Sequence, residues 1–331
     1  MLFIVDSDIP FIRGVLEPYA EVRYLRGVEI DASAVHNADA LIVRTRTRCN
    51  ASLLEGSSVK FIATATIGTD HIDLNYCKQH NIAVHNAKGC NARGVLQWMA
   101  AALKHVVTSD KRSPENYCIG IVGVGSVGSL VSEYSRHWGF HVLECDPPRK
   151  SREGGDFRPI EELAKECNIL TFHTPLDNTT HHLLNSEMIA MMPPHATILN
   201  ASRGGVVDSR AVVNSSHRYL FDVWENEPNI DSYILENSTI ATPHVAGYSL
   251  QGKANATALS IRAIAQYFNL PLSNWYPPEL PTASPRLIDW EEMCSTIDKY
   301  YPISEESKYL KQHPEKFEEM RNGYLYREEY F

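Results

Sequence analysis

The chain has 331 residues, of which 44% are hydrophobic and 21% are charged. That balance is typical of a globular protein with two domains and room for a small third, and it excludes a disordered or disulfide-stapled chain. The 31 basic and 40 acidic residues give a formal net charge of −9. The chain therefore lacks the electrostatic footprint of a general nucleic-acid binder, and any anionic ligand must meet a local cluster of positive groups.

Three further features bear on the compartment. Asp6 and Asp8 come too early in the chain for the apolar region of a signal peptide. No run of apolar residues approaches the length that spans a bilayer. The seven cysteines are odd in number and form no C-x-x-C pair, so neither a disulfide framework nor a metal site is expected. We predict a cytoplasmic protein that binds no membrane and no metal.

Short apolar runs alternate with amphipathic stretches from the first residues onward, a pattern typical of βα repetition and a parallel sheet. The first series predicts strands at 2–5, 40–43, 61–64 and 83–84, with helices at 31–37 and 73–79. The mostly apolar stretch 91–107 predicts a long buried helix that connects two domains.

A second βα series begins at Tyr117. It predicts strands at 117–122, 141–145, 169–172, 197–200, 219–221 and 239–241, and helices at 127–138, 160–165 and 253–268. The prolines at 271, 277, 278 and 281 then predict a linker. The charged and tyrosine-rich residues 287–331 are expected to form a small helical module.

Gly123, Gly125 and Gly128 form a G-x-G-x-x-G motif that includes Ser126 and Val127. The motif follows an apolar strand and opens a helix, which is the context of the dinucleotide-binding fingerprint. The first glycine permits a tight turn, the second lets the backbone approach a pyrophosphate, and the third lets the helix pack closely on the strand. We therefore predict a dinucleotide at the N-terminus of this helix.

Asp146 ends the next predicted strand, 18 positions after Gly128. Its carboxylate can accept hydrogen bonds from the ribose hydroxyls of NAD and would repel the extra phosphate of NADP. The alternative is an ordinary turn aspartate, since two prolines follow directly. Arg149 and Lys150 could in principle bind a 2′-phosphate. We predict that the cofactor is NAD.

Arg203, Glu227 and His244 each follow a predicted strand of the second series, and ligands of open α/β sheets bind beyond these strand ends. Each residue has an ordinary explanation on its own, as a surface arginine, a helix-start glutamate or a loop histidine. Together they match the needs of hydride transfer from a hydroxy acid. Histidine can take the hydroxyl proton, a carboxylate fixes its tautomer and favours the imidazolium, and arginine holds the substrate carboxylate.

Arg44, Arg46 and Arg48 alternate just beyond a predicted strand, and if the strand continues they share one face. A phosphate-bearing acid needs such a cluster. The alternative is a solvated edge strand that carries charges against aggregation. The segment 66–69 (TIGT) offers backbone N–H groups for a substrate carboxylate, and Lys88 is a further candidate for the phosphate.

The motifs NASRGG, DVWENEP and TPHVAGY, together with GVGSVG, resemble those of the D-2-hydroxyacid dehydrogenase family, and the similarity runs from residue 1 to about 270. The resemblance implies an α/β protein with a Rossmann-type doubly wound parallel sheet over 91–245. It also implies a flavodoxin-like α/β substrate domain over 1–90 with 246–270. Residues 271–331 would form a linker and a small α-rich dimerisation module.

The resemblance further implies an NAD-dependent oxidoreductase that acts on a small phosphorylated 2-hydroxy acid as a homodimer. Arg203, Glu227 and His244 would be the catalytic triad, with His244 as the acid–base. The NAD site would include the glycine motif with Asp146, Thr174, Ala201, Ser202, Arg203, Asp222 and Gly247. The substrate would be contacted by Thr45, Thr66 and Tyr248, and from the arginine cluster by Arg44 and Arg46.

The segment between Asp208 and Asp222 is short for this family. Either residues 214–217 bridge a deletion, or residues are missing from the sequence. Two functional alternatives also stay open. Another 2-hydroxyacid dehydrogenase, such as one acting on 3-phosphoglycerate, would carry the same triad. A non-enzymatic NAD-sensing module on the same fold could dispense with the Glu227–His244 pair.

Overall fold

The structure, a computed structural model, describes residues 1–280 and 285–331. Residues 281–284, which include Pro281 of the predicted linker, lie outside the described residues. The chain forms two compact units, Met1–Asn91 with Leu250–Ala283, and Ala92–Ser249 with Ser284–Phe331. The described residues 285–331 thus belong to the second unit, and their role in dimerisation stays a prediction.

The first unit contains one parallel sheet. Its strands are β1 (Leu2–Asp6), β2 (Glu21–Leu25), β3 (Ala40–Val43), β4 (Phe61–Thr64) and β5 (Ala83–Asn86). The strand order is β2-β1-β3-β4-β5, which is the order of flavodoxin-like folds. The direction of winding changes between β1 and β3, so the carboxyl ends of these two strands lie at a topological switch point.

The second unit contains a larger parallel sheet. Its strands are β6 (Cys118–Val122), β7 (His141–Cys145), β8 (Ile169–Phe172), β9 (Thr197–Asn200), β10 (Arg218–Phe221) and β11 (Ile240–Ala241). The order β11-β10-β9-β8-β6-β7 places a switch point between β6 and β8. These two sheets confirm the predicted Rossmann-type and flavodoxin-like fold class.

Helices connect the strands of both sheets. In chain order they are α1 (Ala32–Val35), α2 (Ala51–Leu54), α3 (Leu74–Gln79), α4 (Ala92–Asp110), α5 (Ser126–His137), α6 (Pro147–Glu153), α7 (Ile160–Glu166), α8 (Ser186–Met191), α9 (Ser209–Val213), α10 (Ser232–Asn237), α11 (Leu250–Phe268), α12 (Trp290–Tyr300), α13 (Ile303–Gln312) and α14 (Phe317–Asn322). Within residues 1–280 and 285–331, no helix is long and apolar enough to cross a membrane.

Both faces of the second sheet are buried. Ile198 and Leu199 are neighbours in β9 but belong to different apolar clusters, because successive strand residues point to opposite faces. The cluster that contains Leu199 includes Trp98 of α4 and Met293 of α12. The C-terminal helix α12 therefore shares a core with the predicted NAD-binding sheet.

The first sheet is covered in the same way. Ile4 packs with Val35 of α1 in one cluster, whereas its neighbour Phe3 packs with Ile261 and Ile264 of α11 in another. The late helix α11 thus completes the first unit, since it supplies apolar side chains to one face of that sheet.

The short segment between Asp208 and Asp222 forms helix α9, a turn at 214–217 and strand β10. Strand β10 pairs with β9 along its whole length, from Arg218 opposite Thr197 to Phe221 opposite Asn200. The sheet is therefore continuous at this point, and the residues that follow β10 lie at its carboxyl edge.

Candidate active site

The glycine-rich turn lies between β6 and α5, at the switch point of the second sheet. Gly123 has φ +85°, which glycine adopts without strain. A Cβ there would lie 2.9 Å from the carbonyl oxygen of His173. A Cβ on Gly128 would lie 2.0 Å from the carbonyl oxygen of Gly123, whereas one on Gly125 would meet no atom within 4 Å. The turn is thus closely packed at its two ends and open in the middle.

The surroundings of this turn fit a dinucleotide. Gly125 is the N-cap of α5, so the first N–H groups of the helix, from Ser126 onward, lack intrahelical acceptors and suit a pyrophosphate. Thr174 follows β8 beside Gly123, and its buried hydroxyl has no hydrogen-bond partner within the described residues. A ligand bound at the turn would supply a partner for this buried oxygen.

Asp146 holds the glycine turn in place. Its Oδ2 accepts a hydrogen bond from the N–H of Val124 at 2.8 Å, and its Oδ1 accepts one from the N–H of Arg149 at 2.9 Å. Arg149 in turn donates to the carbonyl of Val124 at 2.9 Å and pairs with Glu153. Lys150 donates to a backbone carbonyl at 2.7 Å. Both cations that could have bound a 2′-phosphate are thus engaged within the protein.

Glu227 and His244 form a close pair. Nδ1 of His244 lies 2.8 Å from Oε2 of Glu227, and Oε1 accepts the N–H of Trp224 at 2.9 Å. Burial opposes ionisation of Glu227, but the charge of His244 and the hydrogen bonds from His244 and Trp224 outweigh it and lower the pKa of Glu227. The carboxylate is therefore charged. It accepts a hydrogen bond from Nδ1–H of His244, which leaves Nε2 as the proton acceptor of the ring.

Asp222 anchors the loop that carries His244. Its Oδ1 accepts hydrogen bonds from the hydroxyl of Thr242 at 2.6 Å and from the N–H of Val245 at 2.9 Å. Its Oδ2 accepts the N–H of Ala246 at 2.9 Å. Sequence reasoning gave Asp222 only as part of the NAD site, and the structure shows that its buried carboxylate also shapes the loop.

Arg203 lies in a turn after β9 that Asn200 shapes. The side chain of Asn200 accepts the N–H of Ser202 at 3.0 Å and donates to the carbonyl of Arg203 at 2.9 Å. The turn continues into Gly204, where a Cβ would lie 2.1 Å from the carbonyl of Trp224. The backbone of this turn therefore contacts the loop that carries the carboxylate of the pair.

The three predicted triad residues thus follow three adjacent parallel strands, β9, β10 and β11. The structure brings Glu227 and His244 into direct contact and places Arg203 on the neighbouring loop. The roles of Asn200 and Gly204 were not predicted. Both lie within the NASRGG motif, so the motif contained a signal for them.

Gly247 and Tyr248 follow the histidine loop. A Cβ on Gly94 of α4 would lie 3.2 Å from the carbonyl carbon of Gly247, so the two backbones are in close contact. The ring of Tyr248 packs edge-to-face on those of Tyr324 and Tyr326, with centroids 5.7 and 6.2 Å apart. Sequence reasoning missed this contact between the C-terminal segment and the loop beside His244.

The predicted arginine strand is not formed. Strand β3 ends one residue before Arg44, where a turn begins that the N–H of Thr47 closes on the Arg44 carbonyl at 3.2 Å. Thr47 is buried and donates its hydroxyl to a backbone carbonyl at 2.9 Å. The expectation that Arg44, Arg46 and Arg48 share one face of a strand is therefore wrong. The edge-strand alternative is wrong as well, because β3 is a central strand.

Arg44 is held by two carboxylates. Its Nε lies 3.1 Å from Oδ2 of the buried Asp6, and its Nη2 lies 2.7 Å from Oδ2 of Asp8. Arg46 and Thr45 lie exposed in the same turn. The two arginines predicted to bind substrate thus have different surroundings.

Two further predicted residues lie in the first unit. Thr66 follows β4, and its hydroxyl lies 2.7 Å from that of Thr64 and donates to the Gly68 carbonyl at 3.0 Å. Lys88 lines a cavity of about 350 Å³ together with Arg262. Within residues 1–280 and 285–331, no group of three or more His, Cys, Asp or Glu residues is arranged to hold a metal ion.

Comparison with known proteins identifies the family of the chain. Residues 91–246 match the family model described as D-isomer specific 2-hydroxyacid dehydrogenase, NAD binding domain. The chain belongs to the D-isomer-specific 2-hydroxyacid dehydrogenase family. Among its relatives are proteins named erythronate-4-phosphate dehydrogenase. The one from Bacteroides thetaiotaomicron is 42% identical over 340 residues, covering 99% of this chain and 97% of the relative. The one from Bacteroides fragilis is 41% identical over 341 residues, with the same coverage of 99% and 97%.

Among solved structures, the NAD⁺-bound 3-phosphoglycerate dehydrogenase of Entamoeba histolytica superposes with a TM-score of 0.68. The match covers 82% of this chain and 97% of that chain, at 24% sequence identity. At this identity the likeness concerns the fold. Together the comparisons confirm the predicted family resemblance, the dehydrogenase class and NAD as the cofactor.

Proposed function

We propose that this enzyme oxidises 4-phospho-D-erythronate to (R)-3-hydroxy-2-oxo-4-phosphobutanoate with NAD, a step of pyridoxal 5′-phosphate (vitamin B6, pyridoxine) biosynthesis. The observation that carries the chemistry is the contact of 2.8 Å between the charged carboxylate of Glu227 and Nδ1 of His244, next to the loop of Arg203 at the carboxyl edge of the sheet. The similarity along almost the whole chain to erythronate-4-phosphate dehydrogenase supports the substrate.

In the proposed reaction, Nε2 of His244 takes the proton of the C2 hydroxyl while C2 gives up its hydrogen as hydride. Bound NAD supplies the hydride acceptor. Glu227 holds the imidazole through Nδ1 and stabilises the imidazolium that forms. Arg203 binds the substrate carboxylate and polarises the forming C2 carbonyl. The proton on His244 is then released to solvent, and the 2-oxo acid leaves.

For NAD we propose the glycine turn and the strand ends around it. The residues are Gly123, Gly125, Ser126, Val127, Gly128, Asp146, Thr174, Ala201, Ser202, Arg203, Asp222 and Gly247. For the substrate we propose Thr45, Thr66 and Tyr248, with Arg46 as the phosphate ligand. We assign Arg44 a supporting role, because Asp6 and Asp8 already neutralise its charge.

The variant His244→Asn tests the acid–base role. We expect kcat to fall about 10²–10⁴-fold, with the Kd for NAD, measured by fluorescence, unchanged within about twofold. The fall in kcat reflects the loss of the proton acceptor, whereas the dinucleotide contacts lie elsewhere. An equal loss of NAD affinity would contradict this role. A wild-type protein that binds NAD but oxidises no hydroxy acid would favour the NAD-sensing module.

A substrate panel tests the specific acid. NADH formation is compared for 4-phospho-D-erythronate, D-erythronate, 3-phosphoglycerate and D-lactate. We expect the highest kcat/KM for the four-carbon phosphate. A preference for 3-phosphoglycerate would show that the proposed substrate is wrong, although the protein would still be a dehydrogenase of this class.

We further propose that the enzyme is a homodimer of the cytoplasm. The family resemblance of the C-terminal segment supports the dimer, and Leu325, which is 90% exposed in that segment, offers a position at which to test it. The cysteine side chains are thiols, which suits a reducing compartment. Light scattering on Leu325→Asp should show a monomer where the wild type is a dimer. A monomeric wild type at micromolar concentration would contradict the proposal.

A further inference from the structure

The C-terminal helix α14 brings a cation to the catalytic pair. Nη1 of Arg321 lies 4.0 Å from Oε2 of Glu227, the same oxygen that accepts the hydrogen bond from Nδ1–H of His244. The Arg321 side chain is 24% exposed and that of Glu227 is 19% exposed. The two charges therefore interact with little screening from solvent. Arg321 is also hydrogen-bonded to the side chain of Tyr248, which follows the histidine loop.

A second arginine fixes the same segment to the histidine loop. Arg327 is buried, with 7% exposed. Its guanidinium donates to the carbonyl of Ala246 at 2.6 Å and to that of Val245 at 3.2 Å, and it stacks over the ring of Tyr301 at 3.8 Å. The peptide groups that directly follow His244 are thus clamped by the last residues of the chain.

We propose that Arg321 is a positioning residue for the Glu227–His244 pair, and that residues 317–331 therefore complete the catalytic centre. The proposal rests on the acid–base role proposed for His244. The guanidinium keeps the carboxylate of Glu227 charged and fixed in orientation. Its positive charge also repels a second positive charge on the imidazole that contacts the same oxygen. Arg321 therefore favours neutral His244, the form that accepts the substrate proton.

Other charged groups around the pair are already engaged. Glu225 is bound to His182 at 2.7 Å, and Asp222 is occupied by the hydroxyl and N–H donors of the histidine loop. Glu318 of α14 accepts a hydrogen bond from Nη1 of Arg321 at 3.1 Å. Glu318 thus orients Arg321 and partly offsets its charge at the pair.

The variants Arg321→Gln and Arg321→Lys test the proposal through the pH dependence of kcat/KM for 4-phospho-D-erythronate. Loss of the cation makes His244 easier to protonate. Arg321→Gln should therefore move the acid limb of the profile to higher pH by about half a pH unit and lower kcat at neutral pH about tenfold. The KM for NAD should not change. Arg321→Lys should restore most of the acid limb, because it keeps the charge.

Two further variants keep the test decisive if Arg321→Gln folds poorly. Lys316→Gln removes a positive charge just before α14 and should leave the acid limb in place. Glu318→Gln removes the partner that offsets Arg321 and should move the limb slightly to lower pH. A uniform loss of activity in Arg321→Gln, without movement of the limb, would assign Arg321 a merely structural role and overturn the proposal.

A substrate-free measurement separates this proposal from the proposed function. In the full-length protein, the midpoint of the His244 imidazole titration followed by NMR should move to higher pH in Arg321→Gln, with the signal assigned by its loss in His244→Asn. An unchanged midpoint would overturn the positioning role. A moved midpoint in an enzyme that ignores 4-phospho-D-erythronate would overturn the substrate and spare the positioning role.

Discussion

Arg44 and Arg46 are two positions apart in the sequence, but the structure gives them different tasks. Arg44 neutralises the buried carboxylate of Asp6, whose exposed fraction is 0%. A buried charge that loses its partner is costly. Arg46 lies in the exposed part of the turn, where a guanidinium can reach a phosphate.

We therefore predict opposite effects of two matched substitutions. Arg44→Gln should lower the free energy of unfolding by about 1–3 kcal/mol, measured with urea. Arg46→Gln should lower that free energy less than Arg44→Gln does, because Arg46 is exposed, and it should raise the KM for 4-phospho-D-erythronate about tenfold or more. The KM for D-erythronate, which has no phosphate, serves as the control and should not change in Arg46→Gln. Similar effects on stability and KM in both variants would contradict this division.

At the residue scale, the sequence predicted the site residues that follow strand ends and missed those that come from distant parts of the chain. Glu227 and His244 follow adjacent strands, so the topology of a parallel sheet was enough to bring them together. Arg321 comes from a helix near the end of the chain, and nothing local links it to Glu227. The turn at Arg44 depends on the burial of Thr47, which the alternation of arginines did not reveal.

At the scale of elements, two glycines of the glycine-rich turn have different roles, one in stability and the other in cofactor binding. A Cβ on Gly128 would lie 2.0 Å from a backbone oxygen, whereas one on Gly125 would enter open space. Gly128→Ala should therefore lower the melting temperature by several degrees, because turn and helix must move apart.

The matched variant Gly125→Ala should keep the melting temperature of the wild type. It should raise the Kd for NAD about tenfold or more, since the added methyl group occupies the side of the turn proposed for the pyrophosphate. Calorimetry and fluorescence titration measure the two quantities. A loss of stability in Gly125→Ala comparable to that in Gly128→Ala would show that the turn has no open side.

The predictability of the elements follows their burial. The strands of the second sheet lie within one residue of their predicted bounds. Five of them are short runs that are almost wholly buried, whereas the edge strand β7 is only partly buried and was found by its spacing in the βα series. Strand β2 was missed, since Glu21–Leu25 is an edge strand whose residues are only partly buried. Helix α6 was missed as well. Its start signal is Asp146 as N-cap before two prolines, and proline is favoured at the first position of a helix. From the sequence, Asp146 was considered only as a ligand of NAD or as a turn residue.

At the scale of the molecule, the net charge is −9, so the positions of the individual arginines decide where an anion can bind. Three arginines bind carboxylates or backbone carbonyls of the protein itself, namely Arg44, Arg149 and Arg327. We assign Arg46 and Arg203 to the anionic groups of the substrate, and Arg321 to the catalytic carboxylate. Under this assignment, an acidic protein binds a multiply charged anion through a few arginines placed beside the ligand.

The stability of the whole molecule towards acid depends on histidines whose surroundings disfavour the charged form of the ring. Burial lowers the pKa of His173 to about 3, from an ordinary value of 6.5. Between these two values the unfolded chain binds more protons than the folded one. The stability contributed by neutral His173 is therefore complete above about pH 6.5 and decreases as the pH falls towards 3.

His173→Asn removes this titration. Its amide can still bind the hydroxyl of Thr171, which lies 3.2 Å from Nε2 of His173. We expect the melting temperature, measured by calorimetry from about pH 4.5 to 8, to fall less steeply with acid than in the wild type. The slope should not vanish, because burial also lowers the pKa of His71, His85, His105 and His217. The exposed His141 provides the control, and His141→Asn should retain the wild-type slope. Parallel curves for His173→Asn and the wild type would mean that His173 is protonated in the folded protein, with water or a carboxylate reaching its ring.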